Sequence, residues 1–151
     1  FNLKYLLLHG NKLSVLSGGL FNSTRTILIL TLQDNRLSNL PENVFFPMPK
    51  LQYLNLAMNL LFHLPHDIFS RSVNLLNLNL AHNIIETLNR NIFIALRKLR
   101  HLDLSYNAVQ ELDITGLIGM TYFNINHNNV VVMPRMITSS RPNFQSVRSR
   151  L

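Results

Sequence analysis

Leu99–Val109 reads LRHLDLSYNAV, with leucine at 99, 102 and 104, asparagine at 107 and valine at 109. The same frame returns as LKYLLLHGNKL from Leu3, ILILTLQDNRL from Ile27, LQYLNLAMNLL from Leu51, LLNLNLAHNII from Leu75 and MTYFNINHNNV from Met120. Its asparagines are Asn11, Asn35, Asn59, Asn83, Asn107 and Asn128, spaced 24 residues apart four times and 21 apart once. A fixed period in this range marks a stacked repeat architecture, in which each unit buries its apolar face only against its neighbours. Within a block, alternation sends Leu102 and Leu104 inward and His101, Asp103 and Ser105 outward. Strand centres are therefore expected near residues 5–8, 29–32, 53–56, 77–80, 101–104 and 122–125. A parallel sheet with one strand per repeat follows, because the long period supplies the crossover that parallel neighbours need.

The frame continues beyond the asparagine. Leu40-Pro41 and Leu64-Pro65 give a Leu-Pro step, and Phe21, Phe45, Phe69 and Phe93 each stand ten residues after their asparagine. On these residues the chain resembles the leucine-rich repeat family, in its 24-residue variety, over Leu3 to about Met133. The resemblance implies an α/β repeat solenoid: a right-handed superhelix with a parallel concave sheet of about six strands and an irregular convex side. Residues 1–137 are assigned to this solenoid, a piece of a longer array. Residues 138–151 are read as a basic tail or a degenerate seventh repeat. The resemblance also implies an extracellular or cell-surface parent, a recognition receptor of the Toll-like kind or an adhesion or matrix protein, that meets a protein ligand or co-receptor.

The six asparagines are expected to form a ladder. A turn away from a sheet leaves backbone groups unpaired, and a carboxamide carries both the donors and the acceptor to satisfy them. The four phenylalanines are expected to form a second internal column. The fifth repeat departs: after Asn107 it is three residues short and brings no phenylalanine, so Ile114 is expected in that place. Leu3–Leu8 forms an apolar edge through which an isolated fragment is expected to associate.

Composition narrows the chemistry. There is no cysteine, which removes disulfides, thiolate zinc sites and cysteine nucleophiles. No apolar run is long enough to span a bilayer. The formal charge is +7, and after Asp113 there are arginines but no acid. Arg97, Lys98 and Arg100 are the compact basic cluster within the repeats, so a sulfated glycan or nucleic acid is the alternative partner. A third reading makes the chain a structural spacer within a larger receptor or adhesion protein. No nucleophile motif, phosphate loop or metal-ligand spacing is present, so an enzyme, a cofactor and a metal site are not expected. Asn22-Ser23-Thr24 is the one glycosylation sequon.

Function must then lie in residues that do not repeat. Stacking sets outward positions side by side in columns. Tyr53, His82, His101, Asp103, Tyr106 and Tyr122 form the expected ligand-binding patch, since rings with polar tips are common interface anchors.

Overall fold

The computed structural model describes residues 2–131, and the readings made for residues 132–151 lie outside that range. Six strands form one sheet in chain order: β1 (Tyr5–Leu7), β2 (Ile29–Thr31), β3 (Tyr53–Asn55), β4 (Asn77–Asn79), β5 (His101–Asp103) and β6 (Tyr122–Asn124). Each pairs with the next in parallel, and the register joins equivalent residues: Leu6, Leu30, Leu54, Leu78, Leu102 and Phe123 form one continuous inner row. The solenoid expectation is met. The α half of the α/β reading is not: among the described residues there is no helix, and the returning side is a succession of turns. Pro41, Pro47 and Pro49 punctuate the second return and Pro65 the third, which disfavours an uninterrupted helix there, and the other returns are turns without a proline.

The core is a set of columns that run along the solenoid. Leu30, Leu32, Leu54, Leu56, Leu80, Leu102 and Leu104 are sealed from solvent behind the sheet. Leu37, Leu61, Ile85 and Val109 close the next column after the turn. Phe45, Phe69 and Phe93 stack on the far side, with centroids 6.2 Å and 6.4 Å apart and planes within 4° and 15° of parallel. Phe21 is buried as well.

The asparagines hold the turns. Asn59 Nδ2 donates to its own coil at Leu56 O and Ala57 O and to the preceding coil at Leu32 O, while its Oδ1 accepts from Leu37 N. Asn35, Asn83, Asn107 and Asn128 repeat this connection. Asn11 is exposed and bonds only within its own coil, to Leu8 O and His9 O.

The short fifth repeat closes without a ring. Ile114 stands six residues before Met120, as Phe93 stands six before Leu99, and it packs against the core half-buried. Leu112 and Leu117 supply the buried side chains around it. The backbone draws in at Gly116, where an added Cβ would lie 2.9 Å from Ile94 Cα and 3.2 Å from Phe93 O. Both are main-chain atoms that cannot swing aside, so Gly116→Ala is expected to cost about 1–3 kcal/mol by overpacking. Gly119→Ala meets the end of a flexible side chain, Arg100 Nη1 at 2.7 Å, and should cost less. Equal losses in thermal melts of the two variants would contradict this account of the shortened repeat.

Candidate functional site

The outward face is built by a turn that recurs in every coil. The residue before each ladder asparagine has positive φ: Gly10 at 66°, Asp34 at 55°, Met58 and His82 at 54°, Tyr106 at 55° and His127 at 56°. Left-handed backbone is unfavourable for bulky side chains, yet five of these six positions are not glycine. The ladder compensates, because the N–H of Gly10, Asp34, Met58, His82 and Tyr106 each donates to the next coil: His82 to Ser105 O at 2.9 Å and Tyr106 to Asn126 O at 2.9 Å. With near-identical φ in successive coils, equivalent side chains leave the backbone in the same direction.

That geometry stacks three rings. His82, Tyr106 and His127 form a continuous array, each neighbouring pair of centroids 4.2 Å apart and the planes within 10° and 16° of parallel. All three are exposed. A second stack lies one column away, where His101 and Tyr122 are 5.9 Å apart at 26°. The structure thus brings His82 and Tyr106 together, and His101 and Tyr122 together. Tyr53 is half-buried and stands two strands from His101, with Asn77 between them in register. His127 lies outside the expected patch and joins it; its sequence signal is its place immediately before Asn128. Exposed Met58, Leu60, Phe62 and Ile84 lie on the adjoining coils.

Asp103 has a different occupation. Its Oδ1 accepts from Ser105 N at 2.9 Å and from Ser105 Oγ at 2.6 Å, and Asn124 Nδ2 reaches its Oδ2 at 3.4 Å. Asn55, Asn79 and Asn124 likewise accept from the backbone N–H two residues on, at Ala57, Ala81 and Asn126. This column caps backbone donors that the sheet leaves over. Ser105, expected to point outward, is buried at 4% exposure, and Ala57 and Ala81 are buried beside it in register. In three of these four coils an Asn or Asp two residues before a small residue, at Asn55/Ala57, Asn79/Ala81 and Asp103/Ser105, is the sequence signal for this arrangement.

The basic cluster is divided. Lys98 Nζ donates to Asn74 Oδ1 at 2.8 Å and Arg100 Nη1 to Gly119 O at 2.6 Å. Arg97 instead borders a notch of about 370 Å³ left on the convex side by the short repeat, with Arg90, Ile94, Asp113 and Ile118. Asp113 accepts from the Thr115 hydroxyl and from Thr115 N, and these bonds hold its carboxyl below the usual range against the opposing effect of burial, with a lesser contribution from the Arg90 charge. No group of three or more histidines or acids able to hold a metal occurs among the described residues.

Comparison with known proteins fits this geometry. A family model described as Leucine rich repeat matches residues 1–61 and 56–109. The chain belongs to the leucine-rich repeat family. No curated protein sequence aligns with it. Among solved structures, the leucine-rich repeat domain of APL1B superposes with a TM-score of 0.82 at 28% identity, over 84% of this chain and 37% of that one. Toll, from a Drosophila Toll–Spatzle complex solved in glycosylated form, gives 0.81 at 28% over 84% of this chain and 19% of the other. The LRIM1/APL1C complex gives 0.70 at 23%, over 85% and 27%, a likeness of fold alone. The chain therefore spans well under half of each of these relatives.

Proposed function

We propose that this segment recognises a protein partner through the ring-lined outward face of β3 to β6, as part of a secreted or cell-surface protein. The observation that carries the reading is the exposed His82–Tyr106–His127 array, held at 4.2 Å intervals by a backbone the ladder fixes. Rings already ordered lose little side-chain entropy on binding, which is what makes aromatic residues effective anchors. The His101–Tyr122 stack widens the surface, and exposed Met58 extends the ring column by one coil. Toll, similar in fold and sequence, forms with Spatzle a complex described as a molecular hub in Drosophila development and innate immunity and solved in glycosylated form, which supports protein recognition and agrees with a secretory setting. An open sheet surface offers no enclosed cleft for chemistry, so we read the module as a binder and not an enzyme.

The test is a paired substitution. Tyr106→Ala with Tyr122→Ala removes one ring from each stack without touching a ladder asparagine. With each exposed anchor contributing about 1–2 kcal/mol, affinity for the partner should fall by about thirtyfold to nearly a thousandfold while the melting temperature stays nearly constant. Unchanged affinity would sink the reading. The anionic-polymer alternative, through Arg97, Lys98 and Arg100, differs in that its affinity would fall steeply with added salt and would survive loss of the rings. The division of those three side chains among separate neighbours favours the protein-binding reading.

A further inference from the structure

The convex side carries a groove of about 1010 Å³ across the first three coils. Its lining follows the repeat: Asn22, Phe46 and Ser70 occupy one column, 24 residues apart, and Pro47 and Arg71 the next, with Arg25, Pro49 and Val73 behind them. Asn22 is the sequon asparagine and is itself exposed at the groove wall. Its turn is fixed by Asn22 N donating to Gly19 O and by the Thr24 hydroxyl donating to Phe21 O at 2.6 Å.

We propose that Asn22 carries an N-linked glycan and that its first sugars lie in this groove, along the Asn22–Phe46–Ser70 column. The inference rests on the secretory setting proposed above. The chemistry of the walls suits a pyranose. A sugar ring has one face of C–H groups and a rim of hydroxyls and acetamido groups. Half-buried Phe46 and Val73, 49% exposed, offer apolar surface for the face. Arg25 and Arg71 offer guanidinium donors for the rim. Arg71 already stands over the Phe46 ring, its Cζ 5.3 Å from the centroid. Neither arginine is spent on a carboxylate, since the one ion pair among the described residues joins His66 and Asp67. The span fits too: coils on this side stand 6.2 Å apart at Phe45 and Phe69, so two repeat spacings are roughly 12 Å, wider than the ~10 Å at the sheet, and two pyranose rings lie end to end over them. A glycan so placed lies on the convex side, away from the aromatic face, and leaves that face open to its partner.

The experiment secretes the full-length protein from a eukaryotic host that makes high-mannose glycans. Peptide mass spectrometry reads the occupancy of Asn22, and endoglycosidase H release is timed on native and on denatured protein. A glycan docked about nine-tenths of the time should be released about tenfold more slowly from the native protein. Arg71→Ala and, separately, Phe46→Ala should each bring native release toward the denatured rate; Arg71 is exposed, so its variant keeps the fold if Phe46→Ala does not. Arg71→Ala released as slowly as the unsubstituted protein overturns the docking, as does native release as fast as denatured. An unmodified Asn22 overturns the whole proposal. Because the host imposes secretion, these outcomes are separate from the secretory reading, which fails by itself if the parent stays inside its own cells.

Discussion

Asn83→Leu is expected to lower stability by about 3 kcal/mol, near the top of the range for a buried polar group stripped of its partner. Asn83 is 6% exposed and its carboxamide reaches two coils at once. Nδ2 donates to Leu56 O at 3.0 Å, Leu80 O at 3.0 Å and Ala81 O at 3.3 Å, and Oδ1 accepts from Leu61 N at 3.0 Å. The carbonyls are partly insured: Leu56 O also accepts from Asn59 Nδ2, and Leu80 O from Asn107 Nδ2. The Leu61 N–H has no second acceptor, so leucine at 83 leaves a buried donor orphaned, and that sets the magnitude. A chain of this length should lose roughly 6–12 °C in melting temperature. Asn11→Leu is the internal control. Asn11 is exposed and holds no other coil, so its loss should cost under about 1 kcal/mol. Similar losses at the two positions would show that the carboxamide acts within a turn and does not join coils.

The ladder and the strands were legible in the sequence because they are forced to repeat. Each coil must fit the one before it, so Leu78 above Leu54 and Asn83 above Asn59 recur at a constant period. The secondary structure of the returns was less legible. An α/β class describes the family at large, whereas here every described return is a run of turns, with Pro41, Pro47, Pro49 and Pro65 opposing a helix in the second and third. The fate of the third outward column was also hidden. Ser105 alternates like an outward residue, but the chain has begun to turn there and Asp103 folds over its N–H.

The candidate site was legible only by halves. His82, Tyr106, His101 and Tyr122 stood out as polar-tipped rings on equivalent positions. That the first two would stack face to face, and that His127 would join them, depends on a left-handed φ shared by successive coils. Residue type gives little warning of it, since left-handed positions usually announce themselves as glycine or asparagine and here are filled by Met58, His82, Tyr106 and His127. The convex groove had even less signal. Asn22, Phe46 and Ser70 share a column, yet nothing in their chemistry marks them as neighbours until the repeat is wound.

Phe69→Ala should be the most damaging single substitution in the chain, at about 4–5 kcal/mol, the upper part of the range for a deleted core phenylalanine. Phe69 is fully buried and is, among the described residues, the one buried ring with a stacked neighbour on both sides, Phe45 at 6.2 Å and Phe93 at 6.4 Å. Its removal forfeits the transfer energy of the ring and opens a cavity between two flat walls. Those walls cannot close easily, because each ring is fixed in its own coil by a strand, a ladder asparagine and a chain of turns. It also forfeits two offset-stacked pairs, each contributing about 0.5–1.5 kcal/mol beyond area burial. Phe93 has a ring on one side only, since the fifth coil supplies Ile114, half-buried, in place of phenylalanine. Phe93→Ala should therefore cost about 1 kcal/mol less than Phe69→Ala, by one stacked pair. Phe69→Leu keeps most of the volume and should recover about half of the loss. Urea unfolding with a common slope for the three variants reads these differences directly. Equal losses at Phe69 and Phe93 would mean that the column is held by burial alone. The difference, if found, assigns part of the cohesion between coils to ring stacking on the convex side, independent of the hydrogen-bonded ladder beside the sheet.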